Sequence, residues 1–360
     1  MVQHKTRPQR NAVRSFIIEN VTDHPRDITS ITAKKFGISR QAAHRHIQQL
    51  AHENAIRITG RTRAREYALK PIASHTVSLD LSPSLKEDQV WREHVLPRLE
   101  GVKPNVLALC EYGCTEMVSN AIDHSEGTKV SIQLVYTPAR IRLVVKDDGV
   151  GIFHKVQTKL GLEDEHHAIL ELAKGKLTTD PQRHTGEGVF FTSRVFDTFI
   201  ILAGNLRFIT LSGGSDWLLE DQRPILGTTF IMDISTQSKR RTQEIFDKYA
   251  SQDDDYGFTK THVPVTLAKY GPENLVSRSQ AKRLLARFDR FREVVLDFKN
   301  VETIGQAFAD EIFRVYVSAH PNVHITPINA TGQIRAMIHR AESQPTPSSL
   351  EAPISTNSTP

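Results

Sequence analysis

The feature that most constrains this chain is a helical segment with three polar side chains on one face. Residues 111–127 read EYGCTEMVSNAIDHSEG, in which Glu116, Asn120 and His124 recur at intervals of four. That spacing places them on one face of a helix. A carboxylate, an amide and an imidazole are costly to bury against an apolar core. We therefore expect this face to form the floor of a polar pocket.

The residue types on this face suit the binding of a metal ion and a phosphate group. An amide oxygen such as that of Asn120 is a hard ligand for Mg²⁺, which proteins usually share with substrate phosphates. Glu116 lies one turn earlier, where a carboxylate can accept a proton from an attacking water or hydroxyl. Asp123 and His124 lie on the same helix, and the sequence gives them no defined role.

A first glycine motif ends the strand-like segment IRLVVKDDGVGI, at Asp147, Gly149 and Gly151. A carboxylate at a strand end can accept a hydrogen bond from an amino group. The two glycines let the backbone turn closely around a ligand. Taken alone, such a motif is most often only a turn.

A second glycine motif lies in HTGEGVFFTSRVFD, where Gly186 and Gly188 precede an apolar helix. The first backbone N–H groups of a helix are free to hold phosphates. Further on, LGTTFIMDI places Thr228 and Thr229 at the start of a predicted strand. The sequence thus contains four weak motifs in a fixed order.

In this order, the four motifs resemble the ATP-binding domain of the GHKL family, shared by gyrase, the heat-shock chaperone, histidine kinases and MutL. The resemblance covers residues 85–237. Within the family, EMVSNAIDHS is most similar to the bacterial anti-sigma serine kinases. The resemblance implies an α/β sandwich, with a mixed sheet covered by helices, that binds ATP and Mg²⁺.

The resemblance also implies roles for single residues. Glu116 would be the general base, and Asn120 would ligate Mg²⁺. Asp147 would bind the adenine amino group and would be supported by Thr228, with Thr229 as the alternative.

The resemblance implies two roles for the glycines, in a flexible lid and in phosphate binding. Gly149 and Gly151 would open a lid over residues 153–184, and Gly186 and Gly188 would contact phosphates. The lid residues that could reach the γ-phosphate are Lys174, Lys176, Arg183 and His184.

The N-terminal residues 1–72 form a strongly basic segment. They hold 14 Lys and Arg against 5 Asp and Glu, a net charge of +9, whereas the whole chain carries only +5. Confined basicity points to a polyanionic partner for this segment. Three helical patterns followed by two short strand-like runs over residues 9–70 resemble a winged helix-turn-helix, which implies DNA binding.

In that fold, the helix after the tight turn enters the major groove and the hairpin wing touches phosphates. The groove-facing candidates are Arg40, Gln41, His44 and Arg45. The wing candidates are Arg57, Arg61, Arg63 and Arg65. The alternative is a module that contacts protein, with the arginines on a solvated face.

The C-terminal residues 257–342 show a βαβαβα order, which predicts a small α/β domain. EVVLDFKNVETIGQAFADEIFRVY resembles a STAS-like domain. Phosphorylated STAS proteins carry a Ser or Thr at the start of the helix after this strand, where this chain has Ile304–Ala307 without a hydroxyl. Thr303 is the nearest candidate acceptor. We expect this domain to be a docking partner that senses closure of the lid.

The remaining segments are predicted as connections: linkers at 73–84 and 238–256, and a disordered Pro/Ser/Thr-rich tail at 343–360. No run of eighteen apolar residues exists, which argues against a membrane span. The basic N-terminus has no apolar signal-peptide segment behind it, so we expect a cytoplasmic protein. The two cysteines, Cys110 and Cys114, are expected to be reduced and partly buried.

The sequence therefore predicts a multidomain α+β regulator. A winged helix would bind DNA, a GHKL domain would bind Mg-ATP, and a STAS-like domain would carry the signal to a protein partner. Two alternatives stay open, a protein serine/threonine kinase acting on a separate partner and a non-catalytic adaptor. Homodimerisation is also left open.

Overall fold

Three helices and a two-stranded sheet form the N-terminal domain. The computed structural model describes residues 10–177, 186–212, 215–250, 258–269 and 274–344. The elements of this domain are α1 (Arg10–Asn20), α2 (Ile28–Phe36), α3 (Arg40–His52), β1 (Ile56–Thr59) and β2 (Glu66–Leu69). β1 and β2 pair antiparallel.

Local sequence signals set the helix ends of this domain. Gly37 ends α2 in a left-handed conformation, with φ of 62°. Ser39 caps α3 by accepting a hydrogen bond from the backbone N–H of Ala42. The apolar faces of the helices close over a separate small core, formed by Val13, Ile17, Val21, Ile28, Ile47, Leu50, Ile56 and Tyr67.

A five-stranded sheet forms the middle domain, in the order β3-β4-β5-β7-β6. Its strands are β3 (Ala73–Asp80), β4 (Lys129–Tyr136), β5 (Arg140–Asp147), β6 (Thr198–Leu211) and β7 (Ser215–Ser235). All its pairs are antiparallel. This corrects our expectation of a mixed sheet in this domain. Parallel pairing lies instead in the three-stranded sheet of the C-terminal domain.

The segment 73–84 corrects our prediction of a linker. Its first eight residues form β3, which pairs along the full length of β4. Every second side chain of β3 is exposed and the others are only half-buried. An edge strand of this kind tolerates Ser, His and Asp, the residue types that also occur in linkers.

The helices of the middle domain are α4 (Glu87–Val90), α5 (Pro104–His124), α6 (Ile152–Leu160), α7 (Glu165–Lys174), α8 (Gly188–Val195) and α9 (Thr242–Asp247). α4 continues as a π-helical turn over Trp91–Val95. α5 contacts the sheet at β5 and β7. Cys110 and Cys114 are free thiols on α5, as predicted, but they are fully and not partly buried. α9 lies within the segment that we predicted to link the two domains.

The C-terminal domain has a parallel sheet in the order β10-β9-β8. Its elements are β8 (Lys260–Pro264), α10 (Arg278–Leu285), β9 (Glu293–Asp297), α11 (Gln306–Asp310), α12 (Val317–Ala319), β10 (His324–Ile328) and α13 (Gly332–Glu342). A π-helical stretch, Glu311–Tyr316, joins α11 to α12. Residues 345–360 of the predicted tail lie outside the described residues.

The middle and C-terminal domains share one hydrophobic core. Aromatic rings from α8, the α9 region and the segments that precede β8 and β9 meet at the boundary, namely Phe190, Phe191, Tyr249, Phe258 and Phe291. Within the described part of the chain, no helix has the length and apolar character needed to cross a membrane.

Candidate functional site

A cavity of about 260 Å³ opens between α5, the end of β5, the interior of β7 at Thr228 and Phe230, and helices α6 to α8. Seven residues to which the sequence analysis gave a role line it: Glu116, Asn120, Asp147, Gly151, Gly186, Gly188 and Thr228. They come from separate segments of the sequence. The fold therefore brings the four motifs to one place.

Helix α5 forms the floor of the cavity. Glu116, Asn120 and His124 all line it, whereas Cys110, Cys114 and Val118 are buried in the core on another face of the helix. The Asn120 amide nitrogen lies 4.0 Å from the Met117 sulfur. Core packing thus fixes the rotation of α5, and this rotation presents the polar face to the cavity.

Asp147, at the end of β5, is held by two backbone groups. Its Oδ1 accepts hydrogen bonds from the N–H of Gly149 at 2.9 Å and of Thr228 at 3.0 Å. Asp147 is 3% exposed, and this burial raises the pKa of its carboxyl group, although the same hydrogen bonds act in the opposite direction. The Thr228 hydroxyl accepts from the N–H of Ile152 at 3.0 Å. Thr228 therefore ties β7 to both β5 and α6.

Gly149 does not line the cavity but stands behind it. A Cβ at this position would lie 2.0 Å from the carbonyl oxygen of Ser125. Val150 also donates its N–H to that carbonyl, at 2.9 Å. The missing side chain therefore lets the end of β5 lie directly against the end of α5.

Gly188 begins α8 and contacts the carboxylate of Glu116. A Cβ on Gly188 would lie 2.0 Å from Glu116 Oε2. Glycine at this position lets the first backbone groups of α8 lie beside the carboxylate. Gly186 has a positive φ of 74°, which favours glycine.

The structure adds wall residues that the sequence analysis did not select. Lys155 of α6 lines the cavity and pairs with Glu126. The further additions are Ser125, Ile152, Val156, Leu172, Leu177, Val189 and Phe230. The spacing of Ile152, Lys155 and Val156 after Gly151 is that of one helical face, which is the signal that could have identified them.

Two of the four lid cations, Lys174 and Lys176, point away from the cavity. The Lys174 ammonium donates to Glu171 and to the carbonyl oxygens of Ala286 and Arg283, and Lys176 donates to the carbonyl oxygen of Arg290. Our prediction that these two lysines reach a γ-phosphate is therefore wrong for this arrangement. The other two candidates, at 183 and 184, lie outside the described residues, as does the lid segment 178–185.

On the N-terminal domain, α3 presents Arg40, Gln41 and Arg45 to solvent, while His44 is half-buried. Arg40 donates to the Ser30 hydroxyl at 2.7 Å.

The β1–β2 hairpin carries the remaining candidates of this domain. Arg57 and Arg61 are exposed and Arg65 is half-buried. Arg63 lies in a short 3-10 turn between the strands, and its side chain is outside the described set.

In the C-terminal domain, α11 begins at Gln306 with Gly305 as its N-cap. Ile304 is buried, and Thr303 is exposed in the preceding loop. Thr303 is thus accessible but precedes the helix.

Comparison with known protein families places residues 280–335 in a family described as a STAS-like domain of unknown function (DUF4325). The match lies within the C-terminal domain, and this domain is STAS-like. A search among curated proteins finds no match.

The approach of β7 to Asp147 should depend on Gly227. This glycine has a φ of 72°, and a Cβ there would lie 2.1 Å from the backbone oxygen of Asp147. We expect Gly227→Ala to destabilise the protein by roughly 2–4 kcal/mol, because backbone strain and a clash add together. Urea unfolding measures this change.

The matched control is Gly161→Ala. Gly161 also has a left-handed φ, of 62°, but its Cβ would meet open space. Gly161→Ala should lower the free energy of unfolding by only about 1 kcal/mol. Equal losses in the two variants would show that the contact with Asp147 contributes nothing.

Proposed function

We propose that the chain is a DNA-binding regulator switched by the binding or hydrolysis of Mg-ATP and signalling through its STAS-like domain. The observation that carries the proposal is the convergence of four sequence motifs on one cavity. Chance motifs scattered over residues 116–228 have no physical reason to share a wall.

The adenine end of the cavity would be at Asp147. Two backbone N–H groups hold its Oδ1 and fix the orientation of the carboxylate. A fixed carboxylate can accept a hydrogen bond from the exocyclic amino group of a nucleobase. A base with a carbonyl oxygen facing Asp147 instead would be disfavoured, because two acceptors would then face each other. The apolar wall residues Ile152, Val156 and Phe230 suit an aromatic base.

The phosphate end would be at α5 and α8. Asn120 would supply an oxygen ligand to Mg²⁺, and the backbone at Gly186 and Gly188 would donate to phosphate oxygens. When bound, Mg²⁺ would neutralise phosphate charge. Glu116 would hold the proton of an attacking water, since a carboxylate beside Gly188 lies at this end of the cavity.

The DNA contact would use α3 and the hairpin. The exposed groups on α3 include donors that can read base edges. Arg57 and Arg61 on the hairpin would supply salt-sensitive phosphate contacts. The C-terminal domain would carry the signal, either within the chain or to a protein partner.

Kinase activity towards a separate protein is the second candidate. It is favoured by the position of Glu116 in the cavity wall, because the same carboxylate could accept a proton from a serine or threonine hydroxyl. Thr303 is the first acceptor to test within the chain.

Replacing Asn120 with alanine should weaken Mg-ATP binding at least roughly tenfold, about 1.4 kcal/mol. The variant should also lose the difference between titrations in Mg²⁺ and in EDTA, because the metal ligand is gone. Isothermal titration calorimetry measures both effects.

Ser119→Ala is the control for that substitution, since Ser119 bonds to Asp123 and lies outside the cavity wall. An unchanged affinity and Mg²⁺ response in Asn120→Ala would refute the proposed metal ligand. Absence of ATP binding by the wild type would favour the adaptor.

The fate of the γ-phosphate separates a switch from a kinase. With γ-labelled ATP and Mg²⁺, we expect free phosphate from the wild type and on the order of 100-fold less from Glu116→Gln, because the amide cannot accept the proton. Label on the chain or on an added STAS protein, lost in the variant, would instead establish the kinase.

The full chain should bind duplex DNA with an affinity that falls steeply with salt. Arg61→Ala should lower the slope of log affinity against log salt by about one, as measured by fluorescence anisotropy. Arg92→Ala removes an exposed arginine of the middle domain and should leave the slope unchanged. Identical slopes in the two variants would argue against a phosphate contact by the hairpin.

A further inference from the structure

Helix α7 is buried on all sides over its last two turns. Ala168 to Lys174 are all buried, including the charged Glu171 and Lys174. One side of this helix reaches the cavity through Leu172. The other side contacts β8 and the turn that follows it in the C-terminal domain. The helix is therefore a shared wall between the two domains.

The contact with the C-terminal domain is an ion network. Glu171 is 1% exposed, and its two oxygens accept from Lys174 Nζ at 2.5 Å and from Arg287 Nη1 at 2.9 Å. Burial by itself raises the pKa of Glu171, but neighbouring His167, Lys174 and Arg287 outweigh it and lower the pKa to about 2. Glu171 is thus ionised near neutral pH.

Arg287 is the member of the network that belongs to the C-terminal domain. It has a positive φ of 61°, in the turn after α10. Its Nη1 holds Glu171, and its Nη2 donates to the backbone oxygen of Lys176. A planar guanidinium can join two such acceptors in a fixed geometry. This one side chain therefore holds both α7 and the chain that leaves it.

The chain after α7 leads directly to the cavity. Leu177 lines the cavity, and its N–H donates to the carbonyl oxygen of Gly186 at 3.0 Å. Gly175 is packed so closely that a Cβ would lie 2.7 Å from the Phe258 ring. Thr261 of β8 fixes the carbonyl oxygen of Lys174 at 2.6 Å. Residues 174–177 thus connect the C-terminal domain to Gly186, so a shift of that domain would also shift Gly186.

We infer that Arg287 of the STAS-like domain is a positioning residue for the nucleotide cavity. By holding Glu171 and the backbone at Lys176, it keeps Leu172, Leu177 and Gly186 in the cavity wall. Occupation of the cavity and docking of α7 on the STAS-like domain are then coupled, and the coupling acts in both directions. This inference rests on the proposed binding of Mg-ATP.

The first test compares Mg-ATP affinity in the full chain. Arg287→Ala should raise the Kd at least roughly fivefold, within the usual range of coupling between sites. Arg287→Lys keeps the positive charge but not the planar guanidinium with its two donor nitrogens. Its Kd should lie between those of Arg287→Ala and the wild type. Arg314→Ala removes an arginine paired with Asp310 inside the C-terminal domain and should stay within about twofold of the wild type.

The second test needs no variant. Hydrogen exchange of the wild type should slow at amides 283–290 when Mg-ATP is added, although these residues lie outside the cavity wall. A structural role alone would leave this exchange unchanged.

The outcomes separate the inference from the proposed function. Wild-type binding with an equal Kd in a folded Arg287→Ala variant overturns the inference alone. If that variant does not fold, unchanged exchange at 283–290 in the wild type overturns it. A wild type that does not bind Mg-ATP overturns the proposed function and the inference together.

Discussion

The two faces of α5 are the constraint on which the rest of this structure depends. Its apolar residues are fixed in the core beneath the sheet, so the helix has one rotation, and that rotation turns Glu116, Asn120 and His124 towards the cavity. The end of β5 can approach the end of this helix only because Gly149 has no side chain. Packing in the core thereby determines the positions of the polar side chains at the site.

The boundary between the middle and C-terminal domains combines two kinds of contact. Aromatic rings give it apolar area, but such packing tolerates small shifts. The buried Glu171 is different, because a charge removed from water is tolerated only with well-placed partners. Lys174 and Arg287 supply them. This interface is therefore specified by geometry as well as by area.

Much of the candidate site was predictable because its constraints are local. Gly186 has a positive φ that favours glycine, and Asp147 accepts a hydrogen bond from the N–H of Gly149, two residues further on. Lys155 was not selected, since a lysine on a predicted helix is usually solvated and only packing brings it to the wall. The sequence of β3 predicts a linker, because an edge strand needs few apolar residues. Both errors have the same cause. The solvent exposure of a side chain depends on the residues that pack against it, and these are set by the tertiary structure.

By itself, the sequence determined the helix and strand periods, the basic N-terminal segment, the STAS-like pattern and the residues that share a helical face. Those features follow from covalent spacing and local backbone preferences. Only the tertiary structure decided where the ammonium group of Lys174 lies. On an isolated helix this side chain would extend into water, towards a phosphate as readily as anywhere else. The neighbouring carbonyl groups of Arg283 and Ala286, more than 100 residues away, direct it into the C-terminal domain.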